Sequence, residues 1–183
     1  MDTKAIIRDL ATWEGFTTWL YCDTKGLVTV GIGCLVKTPE SLIGVEMWDG
    51  DRLATLDDKA QAHARVRSAF FDRDPDAAIS YKQCSKLRLT LDEVMRLAAD
   101  RLESGYLPHL RAMFDGFDEL STAWQSALID IVYNCGCAGF DEFHHLIDAV
   151  RRRDGVAASK SCHRKTSRDA RNAWAAAQFL KPC

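Results

Sequence analysis

The chain has 183 residues, 47% hydrophobic and 27% charged, with a formal net charge of −2. That length is enough to bury a core in a single domain, and the near-neutral balance excludes a protein that coats nucleic acid or membrane through bulk charge. No stretch approaches the ~20 consecutive apolar residues of a membrane-spanning helix.

Ile6, Ile7, Leu10 and Trp13 recur at helical spacing, which predicts an amphipathic helix over residues 3–13 ending near Glu14-Gly15. Trp19–Asp23 and Leu27–Ile32 read as two strands around Asp23-Thr24-Lys25-Gly26, with Asp first and Gly fourth as a type I turn prefers. In the second strand Val28, Val30 and Ile32 share the face expected to be core. Leu27, Thr29 and Gly31 share the face expected to look outward. After Gly33 the pattern turns helical. Thr55 with Asp58 predicts a capping box opening a helix through about Asp72. Pro75 then interrupts, and residues 75–89 read as a loop or short helical link. Thr90 with Glu93 predicts a second box, starting a helix with Leu91, Val94, Met95, Leu97 and Ala98 inside. Ser121 is expected to cap a strongly apolar helix that stops at Gly136. Asp141 and Ser167 are expected to cap two further helices. These elements describe an α+β protein with a small early sheet and a helical body.

The seven cysteines, Cys22, Cys34, Cys84, Cys135, Cys137, Cys162 and Cys183, are an odd number without zinc-knuckle spacing. They are expected to be mostly free thiols, with one or two disulfides open to them in an oxidising compartment. Adjacent histidines such as His144 and His145 point about 100° apart on a helix and rarely chelate together, so no metal is expected. Residues 151–171 concentrate Arg151, Arg152, Arg153, Lys160, Arg164, Lys165, Arg168 and Arg171 against Asp154 and Asp169. Such a run is either a patch for an anionic polymer or a solvated helix face.

Hydrolysis of a glycosidic bond uses a protonated acid on the leaving oxygen and a carboxylate that activates water or attacks directly. Glu14 lies between Trp13 and Phe16, where partial desolvation favours the protonated form. Asp23, at a polar turn, is expected to stay ionised. Thr29 lies close to it through hairpin pairing, and Gly31 and Gly33 are expected to leave backbone uncovered for a polymer. Each of these residues has a plain structural alternative: a solvated helix end, turn chemistry and a good strand former.

The same stretch, WEGFTTWLYCDTKGLVTVGIGC at residues 13–34, resembles the signature of the phage-type lysozyme family. That signature runs Glu-Gly, an aromatic or aliphatic stretch, then Tyr-x-Asp-x-x-Gly-x-x-Thr-x-Gly-x-Gly-His. The chain supplies Glu14-Gly15, Tyr21, Asp23, Gly26, Thr29, Gly31 and Gly33 at matching gaps, with Cys34 in place of the final His. Residues 35–42 resemble the segment that follows the family's sheet. Ala127–Phe140 resembles its central buried helix, ending here in Tyr133-Asn134-Cys135-Gly136. Arg168 and Arg171, before Trp174, resemble basic residues near its C-terminus, whereas residues 43–89 do not align.

The resemblance implies a two-lobed lysozyme-like fold in one domain over residues 1–183, with a sheet-bearing lobe at about 14–60, an unaligned insertion at 43–89 and a helical lobe at about 90–183. It implies Glu14 as general acid, Asp23 as base or electrostatic stabiliser and Thr29 as the water-positioning hydroxyl. Gly31, Gly33, Asn134, Arg168 and Arg171 follow as substrate-binding candidates; Asn134 is equally readable as a helix-terminal residue satisfying backbone. The implied substrate is peptidoglycan, cut between N-acetylmuramic acid and N-acetylglucosamine without metal or cofactor, with a lytic transglycosylase or an inactive wall-binding module as rivals. The opening MDTKAIIRDLATWEG lacks the apolar run and cleavage site of a secretory signal. The expectation is therefore a monomer made in the cytoplasm that acts in the periplasm or on the wall of a target bacterium. It would be either a phage endolysin or an injected effector with a cognate immunity protein, and would bind no nucleic acid.

Overall fold

Helix α1 (Thr3–Glu14) opens the computed structural model, which describes residues 2–72, 78–165 and 167–183. The architecture is α+β. Leu10–Ala99 form one compact unit, and residues 2–9 with Asp100–Cys183 form another.

In the first unit α1 stops at Glu14, and Gly15 follows at φ +79, a left-handed step that a helix cannot continue. Strands β1 (Thr17–Cys22), β2 (Val28–Gly31) and β3 (Cys34–Leu35) build an antiparallel sheet in the order β1-β2-β3. The third strand was not expected, because two residues are too short to show a period. Gly31 and Gly33, at φ +66 and +64, make the reversal that leads into it.

The unaligned segment supplies much of this unit's core. A small hairpin of β4 (Trp48–Asp49) and β5 (Arg52–Leu53) bridges to Arg88 through paired backbone bonds of 2.7 and 2.8 Å with Trp48. Leu89 N–H donates to Thr18 O of β1 at 2.8 Å. Helix α2 (Leu56–Ser68) opens on the expected Thr55–Asp58 capping box and packs Ala62 and Val66 towards the sheet. It ends sooner than expected, passing into a 3-10 turn at Ala69–Asp72. Pro75 lies outside the described residues. Beyond it a 3-10 turn, Ala78–Tyr81, buries Tyr81. The Lys59 ammonium is buried and donates to Leu42 O and Val45 O at 3.2 and 2.6 Å, fixing the turn that precedes the small hairpin.

Helix α3 (Leu91–Arg101) forms only half the expected box. Glu93 N–H donates to Thr90 Oγ1 at 3.1 Å, but the Glu93 carboxylate turns elsewhere. It takes two hydrogen bonds from Arg96, at 2.7 and 2.6 Å, and one from Glu46 N–H at 2.8 Å. Val94 and Ala98 are buried as expected, while Leu91 is 64% exposed. The Arg96 hydrogen bonds and the Glu46 N–H hold the Glu93 carboxyl below its usual range despite burial. A carboxylate depressed in the folded state contributes stability above its unfolded value, about pH 4.3, and loses it as pH falls through the folded value. Glu93→Gln is therefore expected to lower stability at pH 7 and to flatten the acid limb of the stability curve below about pH 4.3, measured by urea denaturation across pH.

In the second unit α3 continues through a π-helical turn at Leu102–Tyr106 into α4 (Leu107–Met113). Helix α5 (Thr122–Asp141) is buried on all sides from Trp124 to Tyr133, as a central helix must be. Gly136 breaks it at φ 74 and ψ 167, a conformation essentially reserved for glycine. The chain then resumes a short helical stretch rather than stopping. Helices α6 (His144–Arg151), α7 (Gly155–Ser161) and α8 (Asp169–Phe179) pack in succession, with α8 against α5. The Trp124 and Phe179 rings meet edge to face at 5.4 Å.

The expected caps shift here. Ser121 occupies its cap position without a side-chain capping bond; Phe143 rather than Asp141 precedes α6, and Arg168 rather than Ser167 precedes α8. Asp154, which was not expected to cap, accepts from Ala157 N–H at 2.9 Å and starts α7.

The basic run divides. Arg151, Arg152, Arg153 and Arg168 are exposed, but Arg164 and Arg171 are buried on Asp130 of α5. Arg164 Nη1 donates to Asp130 Oδ2 at 2.7 Å, and Arg171 Nε to Oδ1 at 2.9 Å. Asn172 completes the cluster, accepting from Arg164 N–H at 3.1 Å and donating to Arg164 O at 2.9 Å. Among the described residues no helix is long and apolar enough to cross a membrane. Removing one partner of a buried ion pair leaves an uncompensated charge and costs about 3–5 kcal/mol. Asp130→Ala is expected to destabilise the protein by about that amount, read as a lowered urea midpoint.

Candidate active site

Glu14 is the last residue of α1, half-buried, three residues before Thr17 opens β1. Trp13 is half-buried and Phe16 is 38% exposed, so the aromatic cover comes more from Trp13 than from Phe16. Thr17 Oγ1 donates to Gly31 O at 3.3 Å, tying the start of β1 to the end of β2.

Asp23 organises the turn at the other end of the hairpin. Its Oδ1 accepts from Lys25 N–H and Leu27 N–H, both at 2.9 Å. Its backbone N–H donates to Leu27 O, and Gly26 N–H returns to Asp23 O, each at 2.9 Å. The side chain is therefore turn chemistry through one oxygen, while Oδ2 makes no hydrogen bond to a described residue.

Thr29 lies opposite Tyr21 on β1 and Leu35 on β3. Cross-strand pairing puts Thr29 on the same face as Tyr21, two residues before Asp23. Along the hairpin it stands between the Thr17–Gly31 level, near Glu14 in sequence, and the Asp23–Leu27 level. Its Oγ1 donates to Leu27 O at 3.0 Å, so the hydroxyl has spent its proton and keeps lone pairs to accept with.

The face of β2 expected to look outward is covered. Val28–Gly31 are all buried, Thr29 at 4% exposure. At Gly31 the cover comes from α3, where an added Cβ would meet Val94 Cγ1 at 3.5 Å. Gly31 is thus no open strip of backbone for a polymer, and Gly33 is half-buried. Both glycines are accounted for by the reversal into β3.

In the helical unit Asn134 is half-buried on α5, two residues before the Gly136 break, and its carboxamide makes no hydrogen bond to a described residue. Beside it in sequence, the buried Tyr133 ring lies under the Arg101 guanidinium at 4.9 Å, and Arg101 also donates to the Tyr106 hydroxyl at 2.7 and 3.0 Å. Sequence carried no signal for this pair, because Arg101 ends α3 and Tyr106 ends the π-helical turn that follows, which has no period of its own. Arg171 was expected to face substrate and does not: its guanidinium is held on Asp130 in the core, 5% exposed. Arg168 remains exposed.

All seven cysteines are free thiols. Burial pushes the Cys22 thiol up to about 11 and raises those of Cys135, Cys137 and Cys162, a direction that disfavours the nucleophilic thiolate. Among the described residues no group of three or more His, Cys, Asp or Glu side chains is arranged to hold a metal ion. No protein-family model matches the chain, and no curated protein matches it in sequence.

The two roles of Asp23 separate by substitution. Asp23→Ala removes both turn bonds, each worth about 0.5–1.5 kcal/mol, and is expected to lower the urea midpoint. Asp23→Asn keeps an acceptor oxygen for Lys25 and Leu27 and is expected to hold the wild-type midpoint, so any activity it loses reports the carboxylate itself.

Proposed function

We propose that the chain is a muramidase, hydrolysing the bond between N-acetylmuramic acid and N-acetylglucosamine in peptidoglycan. The observation that carries this reading is the hairpin register, which stands Thr29 between the Asp23 turn and the strand end that follows Glu14. The likeness of residues 13–34 to the phage-type lysozyme signature supports it.

In this reading the Glu14 carboxyl proton passes to the glycosidic oxygen as the bond to the leaving sugar breaks. Asp23 faces the developing positive charge, or the attacking water, with Oδ2, the oxygen that the turn does not use. Thr29 accepts a hydrogen bond from that water through a lone pair, since its own proton is on Leu27 O. Asn134 is a candidate contact to sugar or peptide. The site of action would be the wall of a target bacterium, reached by a phage endolysin or an injected effector.

A second reading has one observation in its favour. Asp23 Oδ1 is committed to the turn, as in a protein where Asp23 serves the fold alone. Such a protein would be a lytic transglycosylase, using the single acid Glu14 and releasing anhydro sugars. Glu14→Gln is expected to lower turbidity clearing of purified sacculi by ~10²–10⁴ with unchanged circular dichroism. Mass spectrometry of wild-type products then decides between hydrated and anhydro ends; near-normal clearing by folded Glu14→Gln overturns both readings.

A further inference from the structure

The helical unit holds a cavity of about 430 Å³ between the end of α4 and the end of α6, which the muramidase reading does not use. Its floor is apolar, formed by Phe114, Leu120 and Val150, each at most 5% exposed. Arg151, Arg153 and Asp115 also line it and are exposed, so they stand at its mouth. Small-ligand sites run from about 300 Å³ upward and share this make-up, an apolar lining with a few convergent polar groups.

The backbone at the mouth is unusual. Helix α6 closes with bonds from Arg153 N–H to Val150 O at 3.0 Å and from Asp154 N–H to Ala149 O at 2.9 Å. In that arrangement the residue after the cap is left-handed and usually glycine. Here it is Arg153, at φ +56, which among the described non-glycine residues is the one with a positive φ. A long side chain there costs free energy that glycine would not. The helix dipole does not require it, because Arg151 and Arg152 already place cations at the end of α6. What the position sets is where the guanidinium goes. An added Cβ on Gly116 would meet Arg153 Nη2 at 3.4 Å, so that glycine leaves the guanidinium its room. Strain kept in the backbone points to a use for the side chain that it presents.

Neither arginine at the mouth is neutralised. Arg151 Nη2 donates to Met113 O and Arg153 Nη1 to Cys183 Sγ, both at 3.3 Å, and among the described residues neither forms an ion pair with a carboxylate. Asp118 is already closed on Arg111 by bonds of 2.8 and 2.9 Å. Each guanidinium therefore keeps most of its donors. Two guanidinium charges match the roughly −1.5 to −2 of a phosphate monoester near neutral pH better than the single charge of a carboxylate or a diester. A tetrahedral phosphoryl group also takes bonds from two planar forks at once. Asp115 beside them disfavours a bare anion and accepts from hydroxyl groups, while the apolar floor suits the C–H face of a small carbohydrate. We propose that this cavity binds the phosphate monoester of a sugar or polyol, with the phosphoryl group on Arg151 and Arg153 and a hydroxyl on Asp115. The proposal stands apart from the muramidase reading and does not depend on it.

The test is a titration followed by backbone amide and arginine side-chain NMR shifts at constant pH and ionic strength. Glucose 6-phosphate and glycerol 3-phosphate are the probes; inorganic phosphate and the diester glycerophosphoglycerol are the comparisons. The proteins are wild type, Arg151→Gln/Arg153→Gln, Arg153→Gly and Asp115→Asn. Wild type is expected to bind at least one monoester at millimolar concentration, with shifts at Asp115, Arg151 and Arg153, and to bind inorganic phosphate and the diester more weakly. The double variant is expected to bind the monoester at least about tenfold more weakly, as loss of charge-assisted bonds predicts. Arg153→Gly is expected to weaken binding while raising the urea midpoint, since glycine relieves the left-handed backbone; that variant tests the side chain in a protein that is certain to be folded. Asp115→Asn is expected to narrow the preference for monoester over inorganic phosphate. The proposal is overturned by absence of monoester binding in this range, by binding that the arginine variants leave unchanged, or by a diester or inorganic phosphate that binds as tightly as either monoester.

Discussion

At the centre of the helical unit the Asp130 carboxylate takes hydrogen bonds from Arg164 and Arg171, and none of the three residues is more than 5% exposed. Helix α5 is apolar almost throughout its buried length, so Asp130 is a charge placed where only strong pairing makes it tolerable. Arg164 comes from the segment between α7 and α8 and Arg171 from α8 itself, so the pairing fixes both against α5. Asn172 joins the backbone of Arg164 to α8 with a reciprocal pair of bonds. Two cations on one anion leave a net positive charge in the core, and the Arg164 bond to Asp130 O spreads part of it onto a backbone carbonyl. A hydrophobic contact would tolerate sliding; this cluster specifies one register of α8 on α5.

The sheet-bearing unit shows the same economy on a smaller scale, with single side chains serving the backbone through one polar atom or proton and leaving the rest unengaged. Asp23 gives one oxygen to the turn and leaves the other unengaged, so the bonds that shape the hairpin also orient the carboxylate. Thr29 is comparable: its donor closes on Leu27 O, which points its lone pairs in a set direction. A group preorganised by the fold spends no free energy on orientation when substrate arrives. Glu93 is a contrasting case. Its bond from Glu46 N–H ties α3 to the loop before the small hairpin, while Arg96, one turn further along α3, holds the carboxylate in place.

Signals that depend on neighbouring residues were legible. The Thr55–Asp58 box, the end of α1 at Glu14, the hairpin about Asp23 and the break at Gly136 each involve partners within a few positions. The same logic misassigned Glu93, because a nearby guanidinium outcompetes a backbone N–H for an ionised carboxylate. It misplaced the caps of α6 and α8, where packing rather than a capping side chain sets the boundary. Strands of two residues, in β3, β4 and β5, have no period to detect; pairing with a neighbour is what makes them strands.

The sequence by itself determined the class of the fold, the hairpin and the identity of the residues that populate it. It also placed Glu14 at a helix end and Asn134 just before the Gly136 break, since these follow from short-range spacing and composition. Tertiary structure alone decided which members of the basic run are surface and which are core. Arg164 and Arg168 look alike in sequence, and what separates them is a carboxylate 34 residues from Arg164. It alone set Val94 of α3 against Gly31 of β2. Burial is a property of what packs against a residue, and for these positions the packing partner lies far away in the chain.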